Sequence, residues 1–229
     1  MSVVTSAHGP VVVVTVDDGH TNILTIEVVD EMLRALRAAR DEAQALVIAG
    51  RPGWFSAGLD QQVFSAGGQA ESELMHGATE LLLRTVEFPR PTVIACTGTA
   101  LGAGAVSLLA SDYRVGTAGE HRICLNYVDV GSELPPLALA LARGRLSPRH
   151  LTLACNTAQT YSPQHAIEAG FLDAVTTGDT VKEAITAATQ PARRVDPEAF
   201  AATRALTCRN LSDTIIGTAG ALWRIDHGT

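Results

Sequence analysis

Between Thr92 and Gly116 the chain reads TVIACTGTALGAGAVSLLASDYRVG. Val93, Ile94 and Ala95 form a short apolar run rich in β-branched residues, bounded by Pro91 and Gly98, the pattern of a buried strand. Gly98, Gly102 and Gly104 follow, separated mostly by small residues, and a helix start and a second strand come after them. A turn so poor in side chains lets another group approach the main chain. It also leaves the unpaired N–H groups of a helix start facing that group. Free amides there can hold an oxyanion. Small residues equally permit tight helix–sheet packing, and this stretch alone leaves both readings open.

The flanking segments predict an α/β chain. Val11–Val16 (VVVVTV) reads as a strand, Asp17–His20 as a turn, and Ala45–Ala49 (ALVIA) as a buried strand. Ile26, Val29, Met32, Leu33, Leu36 and Ala39 recur at helical spacing after Thr25, a candidate N-cap. Gly50–Gly58 reads as a loop, Ala66–Gly68 as mobile, and Glu71–Val86 as a helix. Ile123–Val130 reads as two short extended segments. Helices are expected over Pro135–Arg143, Ser147–Asn156, Ser162–Ala169, Val181–Thr189 and Glu198–Arg204, with a strand at Phe171–Val175 and a helix or arm after Asn210. Early strands alternating with helices, then a run of helices, give an α/β core and a helical C-terminal part.

Composition narrows the function. A net charge of −7 argues against a nucleic-acid surface. With 46% hydrophobic and 18% charged residues the chain is globular. The four cysteines, Cys96, Cys124, Cys155 and Cys208, are widely spaced with no CxxC pair, which fits free thiols in a reducing compartment. The seven histidines show no metal spacing, so no metal is expected. Neither a signal segment nor a membrane-spanning run is visible, and a cytoplasmic location is the expectation.

Two segments together resemble the crotonase, or enoyl-CoA hydratase/isomerase, superfamily. Trp54-Phe55-Ser56-Ala57-Gly58-Leu59-Asp60 is similar to its F-[SC]-A-G-x-D element. Pro91-Thr92-Val93-Ile94-Ala95 through Gly98-Thr99-Ala100-Leu101-Gly102-Ala103-Gly104 is similar to its K/R-P-x-I-A…G-x-A-x-G-G-G element. Asp112-Tyr113-Arg114-Val115 resembles the family's C-D-x-R strand, and Glu168-Ala169-Gly170-Phe171-Leu172-Asp173 its A-x-x-x-G-[LF] stretch. The similarity runs from about Val11 to Val175.

The resemblance implies a crotonase-like ββα spiral core over residues 1–175 and a C-terminal helical oligomerisation region over 176–229, with a homotrimer or hexamer as the assembly. It implies an acyl-CoA substrate, coenzyme A being part of that substrate and not a separate cofactor. The thioester oxygen would lie between the main-chain N–H groups of Leu59 and Ala103, beside Ala57, Gly58 and Gly102. Asn22 and Leu24 would lie along the coenzyme A, and Asp60 would bond main chain beside the first donor. Two amides in a dry pocket stabilise an enolate by about 3–4 kcal/mol per donor.

The family's two hydratase glutamates fall here on Val106 and Tyr127. Valine transfers no proton, and a phenol is a poor base at neutral pH. Asp129 lies two residues from Tyr127, so on an extended segment the two would share a face as an acid/base pair. Asp129 could equally be a solvated loop acid, and Tyr127 a pocket wall. Glu133, Asp60 and Gln61 are further candidates. A catalytically impaired acyl-CoA-binding protein is the alternative. A dinucleotide site is the weakest reading, because Ser107 stands where G-x-G-x-x-G needs its third glycine.

Overall fold

The computed structural model describes residues 2–209. Its main sheet has six strands in the order β1 (Val3–His8), β2 (Val11–Val16), β4 (Ala45–Ala49), β7 (Thr92–Cys96), β9 (Tyr113–Thr117) and β11 (Ala174–Thr176). Only β1 runs antiparallel to its neighbour; the other pairings are parallel. Four of its strands, β2, β4, β7 and β9, are each followed by a short strand displaced from this sheet. Thus β5 (Gly53–Ser56), β8 (Gly98–Leu101) and β10 (Ile123–Cys124) form a parallel three-stranded sheet. A third sheet pairs β3 (Ile23–Leu24) with β6 (Gly58–Leu59). The repeating strand–short strand–helix unit matches the expected α/β spiral.

Both faces of the main sheet are covered, which is why its central strands are apolar throughout. Side chains alternate along a strand. Val12, Val14, Leu46, Ile48 and Ile94 therefore join one core, packed under α1 (Ile26–Glu42) and α3 (Gly68–Val86). Val11, Val13, Val47, Val93 and Ala95 join another, closed by Ala184 and Ala188, one turn apart on α8 (Thr180–Arg194). The segment beyond residue 175, expected as an oligomerisation region, thus contributes α8 to the core. Residues 197–209 are also helical. The helix or arm expected after Asn210 lies outside the described residues.

Local signals behave as read. The Thr25 hydroxyl caps α1 by accepting from Val28 N at 3.3 Å. Each Ser-Pro pair opens a helix, α6 (Pro148–Asn156) and α7 (Pro163–Ala169), while α5 (Pro136–Arg145) follows a Pro-Pro pair. The segment 66–68, expected to be mobile, joins α2 (Gln61–Ala66) to α3. The D-Y-R-V element is a clasp. Arg114 donates through N and Nη2 to Asp173 at 2.8 and 3.0 Å. Asp112 accepts from Thr92 N at 2.9 Å and pairs with Arg204 of the 197–209 helix.

Three expectations fail. Gly50–Gly58 is not all loop, because Gly53–Ser56 pairs with β8 as β5 and Gly58 begins β6. The strand expected at Phe171–Val175 is Ala174–Thr176, set by its pairing with β9. Ile123–Val130 is extended only through Cys124; Val128–Val130 is a 3-10 turn, with Tyr127 at φ −58°, ψ −50° and Gly131 left-handed at φ 74°. Gly131 supplies the conformation that closes such a turn.

Candidate active site

The site is built where β6 and the start of α4 (Ala103–Leu108) meet. The Ser56 hydroxyl donates to Asn22 O at 2.8 Å and accepts from Gly58 N at 3.1 Å. Ala57 N donates to Thr21 O at 2.9 Å, and Asp60 N to Leu24 O at 3.2 Å. The amides of residues 57, 58 and 60 are therefore committed. Leu24 pairs with Leu59 in parallel register. In that ladder Leu24 bonds the residues on either side of Leu59, so the Leu59 N–H faces away from β3.

That open amide has a counterpart across the gap. Gly102 N is held by Cys124 O at 2.9 Å, and the first intrahelical bond of α4 runs from Val106 N to Gly102 O at 3.0 Å. Ala103 N, ahead of it, has no intrahelical acceptor. A Cβ built on Gly58 would stand 2.9 Å from Leu101 O and 3.3 Å from Ala103 N. Gly58 also sits at φ +92°, so only glycine lets the two segments close to this distance. The structure therefore brings Leu59 and Ala103, far apart in sequence, to one spot, with Gly58 and Gly102 between them and Ala57 beside them.

The remaining expected residues divide. Asn22 is fully buried at φ 53°; its Nδ2 donates to Val16 O at 2.7 Å and Phe55 O at 3.2 Å, and its Oδ1 accepts from Asp18 N at 3.0 Å. That side chain is spent on scaffolding bonds, although the residue also borders the small cavity described below. Leu24 is buried beside it. Asp60 caps α2 by accepting from Gln62 N at 2.9 Å. Asp129 is exposed on the 3-10 turn, so the face-sharing pair with Tyr127 does not form. Glu133, Gln61 and His76 are exposed as well. Val106 is 1% exposed, inside the main core.

Tyr127 is half-buried against that core, and burial pushes its phenol well above the ordinary tyrosine value. It stays protonated across the physiological range. One feature escaped sequence reasoning: the Asn126 carboxamide lies over Gly102, with Oδ1 3.1 Å from where a Cβ would stand. Only its place next to Tyr127 marks it. A small apolar cavity of about 30 Å³, lined in part by Leu24, Phe55, Leu82 and Ser107, borders the same elements. A larger one of about 450 Å³ lies at the far end of α4, between α5 and residues 197–209. Among the described residues no group of three or more His, Cys, Asp and Glu is arranged to hold a metal ion, and no helix is long and apolar enough to cross a membrane.

The family model described as enoyl-CoA hydratase/isomerase matches residues 6–218. The chain belongs to the enoyl-CoA hydratase/isomerase family. A curated relative, the probable enoyl-CoA hydratase EchA17 of Mycobacterium avium, is 29% identical over 175 residues, 73% of this chain and 66% of the relative. The matched stretch thus spans just under two thirds of that protein. The solved enoyl-CoA hydratase EchA3 of Mycobacterium ulcerans superposes with a TM-score of 0.90 at 31% identity, covering 95% of this chain and 96% of the other. An apo structure named as an enoyl-CoA isomerase of Mycobacterium tuberculosis gives a TM-score of 0.88 at 31% identity, covering 96% and 98%.

Proposed function

We propose that this member of the family is an enzyme acting on an acyl-CoA thioester, whose carbonyl oxygen it holds between the N–H groups of Leu59 and Ala103. Coenzyme A arrives as part of the substrate. The observation that carries the reading is the approach of Ala103 N to the open face of Gly58, one peptide from the outward-facing Leu59 N–H. When a nucleophile adds to the β-carbon of an enoyl thioester, or an α-proton leaves, the electron pair moves onto the thioester oxygen. Two fixed donors lower the energy of that enolate, and they act only as charge develops. The apolar walls by Leu24 and Leu82 suit the acyl chain.

Proton handling separates this site from a two-glutamate hydratase. Val106 is inert, Asp129 is turned to solvent, and Tyr127 is kept neutral by burial. A neutral phenol can donate a proton to the α-carbon of an enolate but does not activate water. Hydration and a double-bond shift both need a base to take a proton, and none of these three residues supplies one; what the groups here can do is hold an enolate and protonate its α-carbon. The loss of both carboxylates equally favours a second reading, a protein of this fold that binds acyl-CoA without turning it over. In either case a homotrimer or hexamer in the cytoplasm fits the family resemblance and the buried, unbridged thiols of Cys96, Cys124 and Cys155.

The test is a panel of saturated, 2-enoyl and 3-enoyl thioesters of coenzyme A, with binding and product formation both measured. Turnover that falls with Tyr127→Phe supports the enzyme. Binding without product supports the second reading, and failure of every thioester to bind removes both.

A further inference from the structure

Resting on that acyl-CoA reading, we propose that Asn126 touches the bound thioester and supplies a third hydrogen-bond donor to its oxygen, a side-chain one beside the two main-chain amides. Asn126 lies two residues beyond the end of β10, and β10 is fixed to the glycine turn by the bond from Gly102 N to Cys124 O at 2.9 Å. This places the Asn126 carboxamide over Gly102, with Oδ1 3.1 Å from the position of a Cβ there, next to the Ala103 amide. The residue is half-buried. Its side chain makes no hydrogen bond among the described residues, whereas those of Ser56, Ser107 and Asn22 are committed. Ser56 bonds Asn22 O and Gly58 N, Ser107 bonds Ala103 O, and Asn22 bonds four further main-chain groups.

Neither polar atom of this carboxamide is sealed from solvent, and a ligand oxygen beside Ala103 would exchange that exposure for a hydrogen bond. With Oδ1 turned to Gly102, Nδ2 is the end left to donate. A carboxamide does not ionise near neutrality, so Asn126 cannot be the missing base. What it can do is hydrogen-bond an oxygen that gains charge, and such bonds are worth more than neutral ones.

The experiment reads the enolate directly. Acetoacetyl-CoA, a β-ketothioester, shows a near-ultraviolet band when enolised, and its intensity against pH gives an apparent pKa for the bound ligand. The protein and its Asn126→Ala, Asn126→Asp and Asn126→Leu variants are titrated with acetoacetyl-CoA and with free coenzyme A, and their melting temperatures are compared. A donor role predicts a roughly 10- to 100-fold weaker enolate complex in Asn126→Ala. It also predicts a larger loss in Asn126→Asp, whose carboxylate repels the enolate, with free coenzyme A affinity and melting temperature nearly unchanged. An Asn126→Asp variant that matches or exceeds the parent overturns the donor role. So does a loss that falls equally on free coenzyme A or follows the melting temperature, which would make Asn126 a scaffold residue. Absence of any band or binding in the parent protein fails the acyl-CoA reading itself, whereas a band unaltered by all three variants leaves that reading standing and removes Asn126 from it.

Discussion

The Ser56 carbonyl oxygen lies 2.5 Å from where a Cβ on Gly104 would stand, and the Ser56 Cβ lies 2.8 Å from it. Both obstacles are at or next to main chain, so an alanine here forces α4 away from the segment carrying Leu59. Gly104→Ala is expected to cost about 1–3 kcal/mol of stability by overpacking. It should also weaken acyl-CoA binding by ~10-fold or more, because the two amides no longer converge. Gly144→Ala is the control: a Cβ there meets nothing within 4 Å, and α5 should gain slightly. Thermal melts and thioester titrations on both variants check the contrast.

Asn22 makes a second prediction, that a residue beside the site acts through architecture. Asn22→Ala leaves the Val16 and Phe55 carbonyls and the Asp18 amide without their partner, and it puts alanine at φ 53°. Each unmet buried group costs about 1–3 kcal/mol. Asn22→Gly relieves the backbone strain but not the lost bonds, so it should lie between alanine and the parent in melting temperature. A direct ligand contact would instead reduce coenzyme A affinity with little change in the melt.

What was legible in the chain was what neighbours decide. ALVIA is β4 residue for residue, Thr25 caps its helix, and the run of small residues leads into a helix start at Ala103. What was hidden depends on distant partners. The β1 strand, VVTSAH, carries little apolar pattern and exists because it pairs antiparallel with β2. Ala184 and Ala188 say only that a helix has a small-residue face, and the sheet beneath gives that face its place in the core. The 127–130 segment is a turn where its residues read as extended, and Gly131 is the local sign. The difference matters for the site, since only an extended segment would put Asp129 and Tyr127 on one face.

Tyr127 and Cys96 bear on pH. Burial raises both acids, Cys96 to about 12 and Tyr127 further. A raised folded-state pKa means the folded chain keeps its proton where the unfolded chain has lost it. The stability concerned is fully present below the unfolded values and falls as pH rises, from about pH 8.5 for the thiol and about pH 10 for the phenol. The slope approaches ~1.4 kcal/mol per pH unit for each group. Tyr127→Phe should therefore melt progressively higher relative to the parent as pH rises above about 10, with their difference constant between pH 6 and 8. Denaturant melts at stepped pH values measure this. A constant difference through pH 11 would mean that Tyr127 is not desolvated.

Val106 tests whether the site lacks only its proton shuttle. A glutamate in place of a side chain that is 1% exposed within the main core would be a desolvated carboxyl, its pKa driven up. Val106→Glu alone is expected to lose about 2–5 kcal/mol and, with Tyr127 unable to share a water, to gain no hydration of crotonyl-CoA. Adding Tyr127→Glu supplies the partner, and the double variant should hydrate crotonyl-CoA faster than either single one, read as loss of the enoyl absorbance. The gain depends on the Leu59 and Ala103 amides being poised already, since neither substitution alters them. If the double variant binds the thioester yet leaves its double bond untouched, the amides are not where an enolate needs them. If it gains hydration, the donors were in place all along and the carboxylates alone were missing.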